Sequence, residues 1–395
     1  MTGPLDGYRI VDLTGVISGP FATMMLADQG ADVIKVETPG IGDYTRQAGN
    51  RKADLSASFL NNNRNKRSIA INLKDDRGRE IFNRLIKTAD VLTQNFRPGV
   101  AERIGIGEDA IREVAPDIIY VSISGFGEKG PFKTKPTYDP LIQALSGLAS
   151  VQGGSDDNRP RLIRTIVPDK VTALTAAQAI TAALLARERT GVAQHVRLSM
   201  LDSVVAFLWS SDMGGQTFIG ETVSQQRAAS FIDLIYHTRD GHMSVSTMTN
   251  AQWSAFTVAA GHPEWQEDER FMTPALRDLN INARLELIQS VLETATTDEW
   301  MARLEAAGVP CAPVLTRKEI PDHPQIKASE ILLEMEHPQA GPLRQARAAA
   351  RFDKTPPKVR RMAPLLGQHT EEIMVELGYD SAEIAALRDA SVTDG

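Results

Sequence analysis

The apolar positions of the chain fall first into short continuous runs and later into helical spacing. Residues 8–13 read as a buried strand, 14–20 as a glycine-containing turn, 21–29 as a helix and 32–37 as a second strand. A strand, a helix and a strand within forty residues predict a βαβ unit. The alternation continues with strands at 68–73, 91–95 and 118–124 and a helix at 76–87. Together these predict a parallel, doubly wound sheet over roughly the first 125 residues.

Gly125, Gly127, Gly130, Pro131, Pro136 and Pro140 then interrupt the pattern, as they do in loops that carry function. An alanine-rich helix follows over 169–189, with Thr190-Gly191 as its stop signal, and is expected to lie buried on the sheet. From 207 to 314 the texture changes to short strands around 237–247 and helices around Trp253, Arg284 and Trp300. The tail from 330 brings a strand-like piece, several prolines and a helix from His369 or Thr370 that docks back on the first domain. The predicted fold class is α/β, a Rossmann-like parallel sheet with a smaller α+β domain. The expected boundaries are 1–205 for the first part of the large domain, 206–230 for a linker and 231–315 for the small domain. A second linker, 316–335, leads into the return, 336–395.

Composition narrows the function. The 395 residues are 42% apolar and 24% charged, the balance of a soluble globular protein with two or three folding units. No basic segment leads into an apolar one at the start, and no run of 18 apolar residues follows, so no membrane role is expected. Cys311 is the single cysteine, which excludes an intrachain disulfide and a multi-cysteine metal site and fits a reducing cytoplasm. A net charge of -7 argues against sequence-independent nucleic-acid binding. His195, His262, His323 and His337 lack metal-ligand spacing and read as structural or surface residues, and no metal is expected. Cys311, with Pro310 before it and Pro313 after, reads as a packing residue.

Two segments offer chemistry. The first turn, Thr14-Gly15-Val16-Ile17-Ser18-Gly19-Pro20, lacks the G-x-G-x-x-G spacing of dinucleotide sites, although Glu37 sits where a ribose-binding acid would lie. Asn95-Phe96-Arg97-Pro98-Gly99 places an amide, an aromatic face and a guanidinium at the end of a parallel strand, where open α/β sheets bind ligands. Arg97 and Arg103 can grip phosphates and Phe96 can line an adenine slot, or the segment is an exposed loop. Asp169, in Val167-Pro168-Asp169-Lys170, falls at or near a helix N-cap, a position that suits capping and also a reactive carboxylate.

These segments, taken in order, resemble the family III CoA-transferases, the group of carnitine dehydratase and bile acid-inducible protein F. The resemblance covers nearly the whole chain. It rests on Gly30-Ala31-Asp32-Val33-Ile34-Lys35-Val36-Glu37, Asn65-Lys66-Arg67-Ser68, Asn95-Phe96-Arg97-Pro98-Gly99 and Ser124-Gly125-Phe126-Gly127. Tyr138-Asp139, Gly308-Val309-Pro310-Cys311-Ala312-Pro313-Val314 and Ala363-Pro364-Leu365-Leu366-Gly367-Gln368-His369-Thr370 extend it.

The resemblance implies that Asp169 is the catalytic carboxylate of a transferase moving CoA between an acyl-CoA and a carboxylic acid, through an aspartyl anhydride and an aspartyl-CoA thioester. Its helix N-terminus is expected to favour the ionised form. The implied CoA contacts are Val16, Ile17 and Ser18, then Thr38, Ile71, Asn72, Leu73 and Lys74, then Asn95, Phe96, Arg97, Arg103, Lys135 and Tyr138. CoA or acyl-CoA is the substrate, no cofactor is tightly bound, and an interlocked homodimer is implied. Ile17 and Thr38 replace a Gln and an Arg found in some members, and the glycine-rich lid of formyl-CoA transferases is missing around His237. An α-methylacyl-CoA racemase is the nearest alternative, but Tyr138 stands where its His would precede Asp139, and a phenol titrating near pH 10 is a poor base. A non-catalytic acyl-CoA binding protein is the other.

Overall fold

A computed structural model describes residues 3–52, 55–154, 158–220 and 234–394. Residues 221–233, with the end of the expected linker and the start of the expected small domain, lie outside the described residues. The chain divides into two compact units: 1–149, 162–211 and 329–395 form the first, and 150–161 with 212–328 form the second.

The first unit is built on a seven-stranded sheet. Its parallel strands are β1 (Arg9–Asp12), β2 (Asp32–Glu37), β3 (Lys66–Ile71), β4 (Val91–Gln94), β5 (Ile119–Ser124) and β6 (His195–Ser199). The order across the sheet is β3-β2-β1-β4-β5-β6, and a short strand, Thr393–Asp394, adds antiparallel to the outer edge of β3. The chain therefore leaves β1 toward one edge and comes back to pair β4 on its other side. That reversal opens a crevice beyond the carboxyl ends of β1 and β4, the usual place for a ligand in such sheets.

Side chains alternate across the strands and fill two cores. Val11, Ile34, Val36, Ile69, Ile71 and Leu92 pack against helix α2 (Asp76–Ile86) and the carboxyl-terminal helices through Ile81, Phe82, Ile373 and Ile384. Ile10, Val33, Val91, Ile119 and Val121 face helices α1 (Ser18–Asp28) and α4 (Val167–Thr190), which contribute Ala22, Leu26, Ala173, Ala176 and Ile180. Small alanines on both helices let them pack closely on each other and on the sheet. A short helix, α3 (Asp139–Leu145), precedes α4 in the chain.

Several expectations change. Helix α1 starts at Ser18, three residues early, because Ser18 and Gly19 precede Pro20, whose missing N–H costs nothing in a first turn. Helix α4 starts at Val167 and ends at Thr190 with Gly191 in the left-handed conformation, φ 72°. It is half-buried, with Leu174 and Leu185 exposed, because only one of its stripes meets the sheet. Strand β6 and the Thr393–Asp394 strand are additions. Arg360 donates to the carbonyls of Ala27, Gly30 and Ala31, so the returning tail also ties off the end of α1.

The second unit holds a three-stranded antiparallel sheet, Cys311–Pro313, His242–Val245 and Ile235–His237 in that order. Its core joins Trp253, Phe256, Phe271, Ile288, Trp300 and Leu304. Cys311 packs against this core, half-buried. Among the described residues no helix is long and apolar enough to cross a membrane, and no cluster of His, Cys, Asp and Glu could hold a metal ion.

Candidate functional site

The apolar face that β1, β2 and β3 present to α1 becomes charged toward its carboxyl end. Ile10 is followed by Asp12 and Val33 by Lys35 and Glu37, while Lys66 is the first residue of β3, beside Val33, and all of them are buried. Lys66 Nζ contacts Asp12 Oδ2 at 2.9 Å and donates to the Pro20 carbonyl and Asn63 Oδ1. Lys35 Nζ lies 3.0 Å from Asp43 Oδ2 and donates to the Thr14 carbonyl at 2.7 Å. Arg46 grips Glu37 with two nitrogens, at 2.8 and 2.6 Å. Three cations thus meet three carboxylates under the loop after β1. Burial and the charge of Lys35 push Lys66 down to about 8 against the pull of Asp12, whereas Asp12 stays well below the usual carboxylate range because both lysines outweigh its burial.

This network shapes the loop 14–18. Asp43 Oδ1 accepts the Val16 N–H at 3.2 Å, which helps hold a β-branched residue at φ 70°, a conformation it rarely adopts. Gly15 and Asn95 exchange two hydrogen bonds, N–H to Oδ1 at 2.9 Å and Nδ2 to carbonyl at 2.8 Å, and so bridge the loops after β1 and β4 across the crevice. Gly19 lies so close to Thr14 that a Cβ there would be 2.3 Å from the threonine Cβ. The tight turn delivers Ser18 as the first residue of α1, with its backbone N–H free of the helix.

Ser18 faces Asp169. Asp169 is the third residue of α4, 9% exposed, and is not the cap: the N-cap is Ile166, without a side-chain hydrogen bond. Its pKa is pushed up to about 6, first by burial and then by the charge of Asp139, while the amide and hydroxyl of Ser18 partly offset the rise. Burial beside a second carboxylate thus raises the pKa, yet at about 6 the group is still mostly ionised at neutral pH.

Asp139 is buried, and its own pKa is raised by burial. It accepts the Asp169 N–H on Oδ2 at 3.3 Å and the Gln143 Nε2–H on Oδ1 at 2.7 Å. Gln143 accepts the Ile163 N–H at 2.9 Å and thereby fastens the segment leading into α4. Asp139, Asp43 and the two buried lysines were not among the expected site residues. Of the two lysines, Lys35 stands between Ile34 and Val36, whereas Lys66 lies in the polar stretch before Ile69.

The remaining expected residues are placed as follows. Val16, Ile17 and Ser18 follow Gly15, which Asn95 holds, and of these residues Ser18 faces Asp169. Val16 is 37% exposed, Ile17 half-buried and Ser18 buried. Thr38 is exposed just beyond β2. Ile71 is buried in a core and Leu73 is packed against it, whereas Asn72 is half-buried and Lys74 exposed at the end of β3. Phe96 also packs against that core, while Arg97 and Arg103 are exposed. Lys135 is exposed with Nζ 4.1 Å from the Phe132 ring centre, and Tyr138 is 70% exposed.

The family model for CoA-transferase family III matches residues 5–370. The human succinyl-CoA:glutarate CoA-transferase is 36% identical, over 99% of this chain and 90% of its own. The formyl-CoA:oxalate CoA-transferase of Shigella sonnei is 34% identical, over 98% of this chain and 99% of its own. A solved CAIB/BAIF family protein from Brucella suis superposes with a TM-score of 0.83 at 31% identity, over 95% of this chain and all of that one.

Proposed function

Because the chain belongs to CoA-transferase family III and is an acyl-CoA:carboxylate CoA-transferase, we propose that it moves CoA through covalent intermediates on Asp169. The observation that carries this reading is a buried carboxylate facing the free N–H and the hydroxyl of Ser18 beside the crevice of the sheet. An Asp169 oxygen attacks the thioester carbonyl, the C–S bond breaks, and CoA leaves as thiolate. The thiolate attacks the aspartyl carbonyl of the resulting anhydride and expels the donor acid as carboxylate. The acceptor carboxylate then attacks the aspartyl-CoA thioester, and thiolate returns to the new acyl group, which frees Asp169. No proton is gained or lost in the cycle.

Ser18 serves the oxyanion that forms on the aspartyl oxygen, since its donors already point there. Burial protects the anhydride from water and raises the basicity of the nucleophile. Asp139 acts as a positioning residue through the Asp169 backbone. CoA lies along 16–18, Thr38, 71–74, 95–97, Arg103, Lys135 and Tyr138, and the aspartate supplies the covalent handle without a tightly bound cofactor. The working form in this proposal is a cytoplasmic, interlocked homodimer. Dicarboxylic acids are the first acceptors to try, given the glutarate and oxalate in the names of the relatives.

Mixing the enzyme with acyl-CoA and adding hydroxylamine or borohydride tests the scheme. Modification of Asp169, seen by peptide mass, is expected; an unmodified Asp169 alongside full turnover refutes covalent catalysis there. The same mixture in D2O separates the racemase alternative, which would wash deuterium into the α-carbon.

A further inference from the structure

One peptide in the loop after β1 is held in an orientation that its residue does not favour. Val16 has φ 70°, in the left-handed region, although it is β-branched, and its side chain is exposed, so packing of that side chain does not select the conformation. Hydrogen bonds at the two ends of the preceding peptide do. The Gly15 carbonyl accepts from Asn95 Nδ2 at 2.8 Å, and the Val16 N–H, across the same peptide plane, donates to Asp43 Oδ1 at 3.2 Å. Turning this peptide over would bring the φ of Val16 back to a negative value, and it would break both bonds at once.

Asp43 is a rigid support for that contact. Its side chain is 1% exposed, with Lys35 Nζ 3.0 Å from Oδ2, and Oδ1 also accepts the N–H and the hydroxyl of Thr45 at 2.9 and 2.8 Å. Its own N–H donates to Glu37 Oε1 at 2.9 Å, and Arg46 grips Glu37 in turn. A carboxylate tied into this buried network cannot follow the loop if the loop turns. Two residues beyond Val16, Ser18 opens α1 and faces Asp169, and α1 is itself packed against α4. Gly19 meets Thr14 so closely that no Cβ fits between them, so the turn has no slack to absorb a peptide flip. The change would pass to Ser18. An unfavourable backbone conformation kept beside a ligand crevice points to a use for it.

We propose that Asp43 is a positioning residue for CoA transfer: with Asn95 it holds the Gly15–Val16 peptide against a flip and so keeps Ser18 directed at Asp169. This inference rests on the covalent reading of Asp169 given above.

Steady-state kinetics of the full chain test it, in a cycle of Asp43→Ala, Val16→Gly and the double variant. Glycine takes a positive φ without the cost that valine meets. Asp43→Ala is expected to lower kcat about tenfold or more, with a smaller change in KM, because the oxyanion that Ser18 serves is absent from the ground state. In the Val16→Gly background the same replacement should cost less, by about threefold or more, since the loop then has less strain to release. Damage that comes only from leaving Lys35 without its partner is the same in both backgrounds, so equal losses overturn the inference. If Asp43→Ala does not fold, Asp43→Asn takes its place in the cycle; the amide keeps the volume and a weaker acceptor, and the same sign is expected. Wild-type enzyme trapped with hydroxylamine is read by peptide mass in parallel. Equal losses with Asp169 modified remove the role of Asp43 alone, whereas an unmodified Asp169 removes the covalent reading on which that role depends.

Discussion

Replacing Asp139 by Asn changes one charge and almost no volume beside Asp169, the proposed nucleophile. In the native protein Asp169 is pushed from the ordinary 3.8 up to about 6, a rise of about two units. Burial is the largest cause and the Asp139 charge the second, so removing that charge lowers the pKa and favours the ionised form by on the order of 1 kcal/mol. The asparagine Oδ1 can still accept the Asp169 N–H, which leaves the geometry of the first turn of α4 in place. The assay is kcat/KM against pH from 4.5 to 8.5, with substrates whose own carboxyl groups stay ionised above pH 5. The wild type should lose activity as pH falls through about 6, because protonation removes the nucleophile. In the pair, each carboxylate also hinders ionisation of the other, so the native limb is broadened. Asp139→Asn should move the limb to lower pH and sharpen it to a single proton. A limb that stays at 6, or moves upward, refutes the assignment of the like charge.

Asp169→Asn should stabilise the protein only where the native carboxylate is charged. Its folded pKa lies above the unfolded one, so ionisation is penalised in the fold and stability is lost as pH rises from about 4 through about 6. The variant should therefore unfold about 5 °C higher than wild type at pH 8 and at the same temperature at pH 4, by calorimetry; a gain at both pH values would point to packing instead. Lys35→Met removes the cation against Asp43 and the donor to the Thr14 carbonyl, leaving buried groups uncompensated. It should cost about 3–5 kcal/mol in urea unfolding, and an unchanged midpoint would contradict the ion network described above.

The parts of the fold that were legible in the sequence are those whose apolar residues face a core on both sides. Strands β2, β4 and β5 appear within a residue of their expected limits because both faces are buried. Strand β6 escaped because it is an edge strand, His-Val-Arg-Leu-Ser, and its polar members pair locally: His195 with Ser122 at 2.8 Å and Arg197 with Glu108 and Glu128. The two-residue strand at 393–394 is too short for any periodicity. Asp169 was visible as a residue type ahead of an apolar helix, but not its pKa, which depends on Asp139 thirty residues away. The ion network was hidden for a related reason. Val33, Lys35 and Glu37 alternate like a solvent-facing side, and only the arrival of α1 over them turns that side into an interior.

The strand at 393–394 closes the edge of a sheet whose central strand begins at Arg9, so segments more than 380 residues apart share one layer. During synthesis the second unit has all its residues once position 328 has left the ribosome, while the first must wait for the strand at 393–394. The unit that carries Asp169 thus completes its sheet later than the second unit has its residues, and until then its nascent β3 keeps one bare flank.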